Sequence, residues 1–99
     1  MGKYFASGLP ADQVKVLAAT QHPTFAGVND EAIGDKVAYA GKPAWSVVSQ
    51  NDLIIPAPLQ MHFADVMKST VVPVETGHLP MFADPKGVAD AIITASKGY

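Results

Sequence analysis

The 99-residue sequence contains no cysteine, so disulfide bonds and thiolate chemistry are both excluded. No apolar run approaches the ~20 residues of a membrane span, and the start, MGKYFASGLP, lacks the apolar core of a signal peptide. The formal net charge is only −2 and neither sign is clustered, which argues against binding to nucleic acid or to an anionic membrane surface. We therefore expect a cytoplasmic protein with no nucleic-acid partner and no membrane association.

The sequence indicates neither a metal site nor a nucleotide site. The three histidines lack the H-x-x-x-H and H-x-x-E-H spacings of zinc sites. Lys36 and Lys42 lie close to glycines, but their surroundings do not fit the phosphate-binding P-loop pattern. We therefore predict no metal and no cofactor.

The composition, 48% hydrophobic and 16% charged, is typical of one globular domain. In residues 9–21 the apolar side chains recur at i, i+3 and i+4, which predicts a helix. This helix should end before Pro23, because the residue that precedes a proline is disfavoured in the helical conformation. Residues 24–41 contain three glycines and few apolar side chains, which predicts a loop or a marginal helical turn.

Residues 42–99 show a clearer alternation of strand and helix. The segments 44–49 and 70–74 are predicted strands, and the pattern between them predicts a helix. A crossover helix forces its two strands to run parallel. The first strand is nearly continuous in apolar character, which predicts an interior strand, whereas Pro73 places the second strand at a sheet edge.

A closing helix should begin with Asp84 as its N-cap and Pro85 at its first position. Its buried face is predicted to contain Val88, Ala91, Ile92 and Ala95. The fold class is therefore α/β, with two parallel strands and flanking helices.

Each predicted strand opens into a loop that carries one group suited to proton transfer. Asp52 follows the first strand and His78 follows the second. Because parallel strands end at the same edge of a sheet, these two side chains can meet in space. Simpler interpretations stay open: Asn-Asp is ordinary turn chemistry, His78 can bond to backbone, and Glu75 is a rival carboxylate.

The segments PAWSVVSQNDLIIP and VVPVETGHLPMFADPKGVADAI resemble the last two strands and last two helices of the α/β-hydrolase family. In that family the acid of the Ser-His-Asp triad follows the penultimate strand and the histidine follows the last, in contexts that Asp52 and His78 match. The upstream piece FASGLPADQVKVLAATQHP is similar to the end of the lid in esterase-like members. The resemblance implies that residues 1–41 are a lid-like helical and loop segment and residues 42–99 the C-terminal β-α-β-α unit.

The resemblance implies a serine hydrolase of small esters or related carbonyl substrates, in which His78 moves the proton and Asp52 orients its ring. The nucleophilic serine of the family stands in a G-x-S-x-G turn, which this sequence does not contain. We therefore expect a partial chain that is inactive alone and takes a small-molecule substrate only when an N-terminal chain completes it. The family also includes lyases and dehalogenases, so the reaction type stays open.

A second hypothesis is a non-catalytic α/β remnant or an interaction module. Two strands and three helices cannot cover an interior strand on both edges, so the first strand would present an exposed edge. Such an edge pairs readily with another chain. Self-association or a protein partner is expected under either hypothesis.

Overall fold

The computed structural model describes residues 1–98, which form a small mixed α/β domain. Its elements follow the chain as α1 (Ala11–Ala19), a 3₁₀ turn (Ala26–Asn29), β1 (Trp45–Ser49), α2 (Ala57–Val66), β2 (Thr70–Val74), α3 (Pro80–Ala83) and α4 (Pro85–Lys97). The predicted unit at 42–99 ends at Tyr99, which lies outside the described residues. None of the helices in residues 1–98 has the length and apolar character needed to cross a membrane.

The two strands pair in parallel, which confirms the predicted crossover through α2. The register runs from Trp45 opposite Thr70 to Ser49 opposite Val74. Both strands therefore end at the same edge of the sheet, and the loops that follow them leave it side by side.

Pro73 lies on the outer edge of β2, where its missing N–H costs no ladder hydrogen bond. Alternate residues of a parallel strand direct their backbone groups to the partner strand. Thr70 donates to the carbonyl of Ala44. The carbonyl of Val74 accepts from Gln50. The even-numbered residues of β2 therefore face β1, and Pro73 faces away from it.

The exposed strand edge that is predicted for a chain with only two strands is confirmed for residues 1–98, because β1 pairs only with β2 and is not interior within this part of the chain. The apolar run of a strand reports on the two faces of its sheet and carries no information on the strands that flank it. On the edge of β1 away from β2, the N–H of Ser49 donates to the side chain of Gln60 at 3.0 Å. A side chain of α2 thus closes the last position of this edge.

Prolines lie near the starts of α2 and α4. Pro58 lies in the first turn of α2 and Pro85 in the first turn of α4, where an amide hydrogen has no helical partner. The carboxylate of Asp84 accepts from the N–H of Gly87 at 2.9 Å, which confirms Asp84 as the N-cap of α4. Ile92, predicted to be buried, is 65% exposed, whereas its neighbour Ala91, also predicted to be buried, is the buried residue of α4.

The core is small and lies between the sheet and its helices. Its buried apolar residues are Ala6, Val48, Ala64, Val74 and Ala91. Many larger apolar side chains of α2 and α4 are exposed: Leu59, Met61, Phe63, Val66, Ile92 and Ile93. Exposed apolar surface of this extent is typical of a region that contacts another chain.

Candidate active site

The loops after β1 and β2 bring Asp52 and His78 together, as the parallel strands predict. The Nδ1 atom of His78 lies 2.9 Å from Oδ2 of Asp52. The aspartate side chain is 4% exposed and the histidine side chain is 22% exposed. A carboxylate only accepts hydrogen bonds, so Nδ1 carries the proton and donates it, and Nε2 is left as an acceptor.

Nε2 of His78 is the atom at which the pair can exchange a proton. Within residues 1–98 this nitrogen has no hydrogen-bond partner, and the ring is partly open to solvent. An imidazole whose Nδ1–H is held by a carboxylate can accept a proton at Nε2, because the carboxylate stabilises the imidazolium that forms. The pair therefore has the geometry of a general base with an orienting acid.

The carboxylate of Asp52 accepts four hydrogen bonds. Oδ1 accepts from the N–H groups of Ile54 and Ile55, at 2.8 and 3.1 Å. Oδ2 accepts from Nδ1 of His78 at 2.9 Å and from Nε2 of Gln60 at 3.0 Å. A carboxylate offers about four lone-pair positions, so in the observed orientation each acceptor position of Asp52 has a hydrogen-bond donor. Asp52 is thus both a turn residue, through Oδ1, and the partner of the histidine, through Oδ2.

The surroundings of Asp52 favour its charged form. Burial alone raises the pKa of this carboxyl, because it removes water from the charge. Hydrogen bonds from the Ile54 N–H, the His78 ring and the Ile55 N–H stabilise the charge and outweigh that effect. The pKa of Asp52 consequently lies below its ordinary value of 3.8. Asp52 is therefore ionised at neutral pH and able to stabilise a protonated His78.

Gln60 is a site residue that the sequence analysis missed. It lies in the first turn of α2, and its side chain reaches both Asp52 and the end of β1. The available signal was its position four residues before the buried Ala64, on the same helix face. A polar side chain on a buried face requires a hydrogen-bond partner, and the loop after β1, which lies close to Gln60 in the sequence, offers polar groups.

The N-terminal segment lies against the histidine loop. The rings of Phe5 and His78 meet edge to face, with centroids 4.9 Å apart and planes at 84°. Gly77 lets the N-terminal segment lie close to the histidine loop, since a Cβ atom at position 77 would lie 2.6 Å from the carbonyl oxygen of Ser7. Asp52 thus holds the imidazole at Nδ1, and Phe5 contacts the same ring from the N-terminal segment.

The other titratable candidates lie outside the pair. Glu75, the rival carboxylate, is exposed and accepts only a long hydrogen bond from Asn51, at 3.5 Å, within residues 1–98. His22 and His62 are exposed. In the described part of the chain, no group of three or more histidine, aspartate or glutamate side chains could hold a metal ion.

Two surface depressions lie away from the pair. One, of about 230 Å³, lies between α1 and α3 and is lined by Asp12, Gln13, Val16, Leu17 and Phe82. The other, of about 460 Å³, lies at the start of β1, between residues 39–44 and 67–68. Neither depression is lined by Asp52 or His78.

Comparison with known proteins found no match: the sequence fits no protein family model, and no curated protein or solved structure is significantly similar to it. The function is therefore inferred from the geometry of the pair and from the residues around it.

Proposed function

We propose that the chain carries the acid and base of a serine-hydrolase relay, within the C-terminal portion of an α/β-hydrolase fold. Asp52 is the acid and His78 the base. The observation that carries the proposal is the 2.9 Å hydrogen bond from Nδ1 of His78 to the buried carboxylate of Asp52, with Nε2 left to accept a proton. The resemblance of the flanking segments to that family supports the same roles.

The proposed reaction is the hydrolysis of a small ester or related carbonyl compound. Nε2 of His78 takes the proton of a serine hydroxyl as the serine oxygen bonds to the carbonyl carbon. The imidazolium, stabilised by Asp52, gives that proton to the leaving alkoxide as its C–O bond breaks. Water then attacks the acyl carbon while Nε2 takes a proton from the water. As the bond between the acyl carbon and the serine oxygen breaks, that proton passes to the serine oxygen and the carboxylic acid is released. Each proton that His78 accepts is thus returned within the cycle.

The nucleophile is proposed to come from a second segment. The five serines of the chain stand outside any G-x-S-x-G turn, and none of them is hydrogen-bonded to His78. Ser49 is buried against Thr76, and Ser7 reaches the histidine loop with its hydroxyl against Gly77. The second segment would also supply the oxyanion donors, and the open edge of β1 is a place for it to pair.

A fluorophosphonate probe tests the proposal, because it labels serines whose hydroxyl is activated. The chain is expressed with an affinity tag in its natural host, purified together with bound polypeptides, and reacted with the probe. We expect a labelled serine in an associated segment. Labelling should fall by roughly 10⁶-fold in His78→Ala, as the rate does when the histidine of such a triad is removed.

His62→Ala is the matched control, because His62 is an exposed histidine of α2 outside the pair. Labelling that persists in His78→Ala, or the absence of any labelled serine, would contradict the proposal. The purified chain alone should not hydrolyse a nitrophenyl ester. Robust, fluorophosphonate-sensitive hydrolysis by that chain, lost in Asp52→Ala and His78→Ala, would show that no second segment is needed.

A binding module is the second candidate function, and the exposed apolar side chains of α2 favour it. Phe63 and Val66 lie on the helix beside the open edge of β1 and are 49% and 67% exposed. In this candidate the chain binds a protein through that surface, and Asp52 and His78 only join the two loops. A complex that survives His78→Ala, contains no labelled serine and is lost in Phe63→Asp would favour it.

A further inference from the structure

We propose that Gln60 is a positioning residue, which holds the Asp52 carboxylate in the orientation that fixes the tautomer of His78. The catalytic consequence rests on the proposed function. The contact itself lies within residues 1–98 and can be measured without a substrate.

The side-chain amide of Gln60 fits its surroundings in only one orientation. Its Nε2 faces three acceptors, which are Oδ2 of Asp52 at 3.0 Å, the carbonyl of Ile55 at 2.6 Å and the carbonyl of Ser49 at 3.4 Å. Its Oε1 accepts from the N–H of Ser49 at 3.0 Å. A flipped amide would place oxygen against three acceptors and nitrogen against a donor, so the flip is excluded.

Gln60 thereby joins three parts of the molecule. Ser49 is the last residue of β1, Asp52 and Ile55 belong to the loop, and Gln60 itself is anchored in α2. Without the amide, Oδ2 of Asp52 would keep only the imidazole as a donor. The carboxylate could then turn away while its other oxygen stays in the turn, and Nδ1 of His78 would lose its fixed acceptor.

Gln60→Met tests the contact, because methionine has a similar length and volume but cannot donate a hydrogen bond. Nitrogen NMR of the imidazole over a pH series shows which nitrogen carries the proton in the neutral form of the ring. In the wild type we expect the Nδ1–H form of His78 with slow exchange of that hydrogen. In Gln60→Met we expect a mixture of tautomers and roughly tenfold faster exchange, as for one lost hydrogen bond to a charged group.

Gln60→Glu separates the donated hydrogen bond from the shape of the side chain. The new carboxylate can still accept from Ser49, but it brings a like charge to within ~3 Å of Oδ2 of Asp52. The pKa of one of the two carboxyl groups should then be higher than its ordinary value, so that this group stays protonated to a higher pH. Since that proton is lost as the pH rises, the folded state should lose stability between about pH 4 and pH 7.

Gln50→Glu is the matched control, because it adds the same charge at an exposed side chain near the same loop. It should show no such loss between those pH values. A Gln60→Glu profile that follows Gln50→Glu would overturn the inference. Wild-type tautomer and exchange in a Gln60→Met chain with a native amide spectrum would do the same. Neither experiment uses a second segment, so the inference can fail while the His78→Ala labelling result still supports the proposed function.

Discussion

The N–H of Asn51 donates to the carbonyl of Thr76 at 3.0 Å, beyond the last residues of β1 and β2. The backbone pairing of the two strands therefore continues into the loops that follow them. Asp52 comes directly after Asn51, and His78 comes two residues after Thr76. The distance between Asp52 and His78 is thus set largely by backbone hydrogen bonds, and the hydrogen bond between their side chains adds the final alignment.

Asp52 should make the stability of the fold depend on pH in the acid range. Its pKa is lower in the folded chain than the ordinary value of 3.8 that applies to the unfolded chain. Its contribution to stability is therefore complete above about pH 3.8 and is lost as the pH falls through the lower, folded pKa. In urea denaturation, Asp52→Asn should be less stable than the wild type at about pH 6, and the difference should shrink at about pH 3.

Asp35→Asn provides the control for this pH dependence, because it removes one negative charge from an exposed loop. Its difference from the wild type should stay small at both pH values, as for surface substitutions in general. A gap between the wild type and Asp52→Asn that stays constant down to about pH 3 would mean that the donors around the carboxylate do not stabilise its charge.

The strands and the pair could be predicted because their causes are local in the sequence. The second predicted strand, 70–74, coincides with β2. It begins and ends with a β-branched residue, and a turn follows it. The N-cap Asp84 was predicted from the proline that follows it. The meeting of Asp52 and His78 followed from a topological rule, because parallel strands end at one sheet edge.

The remaining contacts of the site depend on where distant segments pack, and no local pattern encodes that. The ring of Phe5 reaches His78 only because the N-terminal segment folds back over the histidine loop. The exposure of Ile92 reflects the amount of sheet available for α4 to cover, which two strands limit. Neither feature could be predicted from the spacing of apolar residues alone.

Gly77→Ala should displace the N-terminal segment from the histidine loop. The added Cβ atom would lie 2.6 Å from the carbonyl oxygen of Ser7 and 2.7 Å from its hydroxyl. The hydroxyl can rotate away, but the carbonyl moves only with the backbone. Overpacking of this kind costs about 1–3 kcal/mol, which urea denaturation should detect. The proton shifts of the His78 ring should also change, because Phe5 moves with the same segment.

Gly34→Ala is the control for that substitution, because a Cβ atom at position 34 meets nothing within 4 Å. It should leave the His78 ring shifts unchanged and alter stability by about 1 kcal/mol at most. Native ring shifts and native stability in Gly77→Ala would show that the segment from Phe5 to Ser7 does not rest on the histidine loop in solution.

Pro73→Val should increase self-association through the outer edge of β2. Residues 71 and 73 direct their backbone groups away from β1, and a valine at 73 adds an N–H to that edge. A longer row of backbone donors favours pairing with a second chain, whereas β-branched valine fits the strand itself. Sedimentation over a concentration series should show more dimer or larger species for Pro73→Val than for the wild type.

Pro43→Val is the control, because it replaces an exposed proline before β1. It should not increase self-association. Equal association in both variants would mean that Pro73 does not protect the edge.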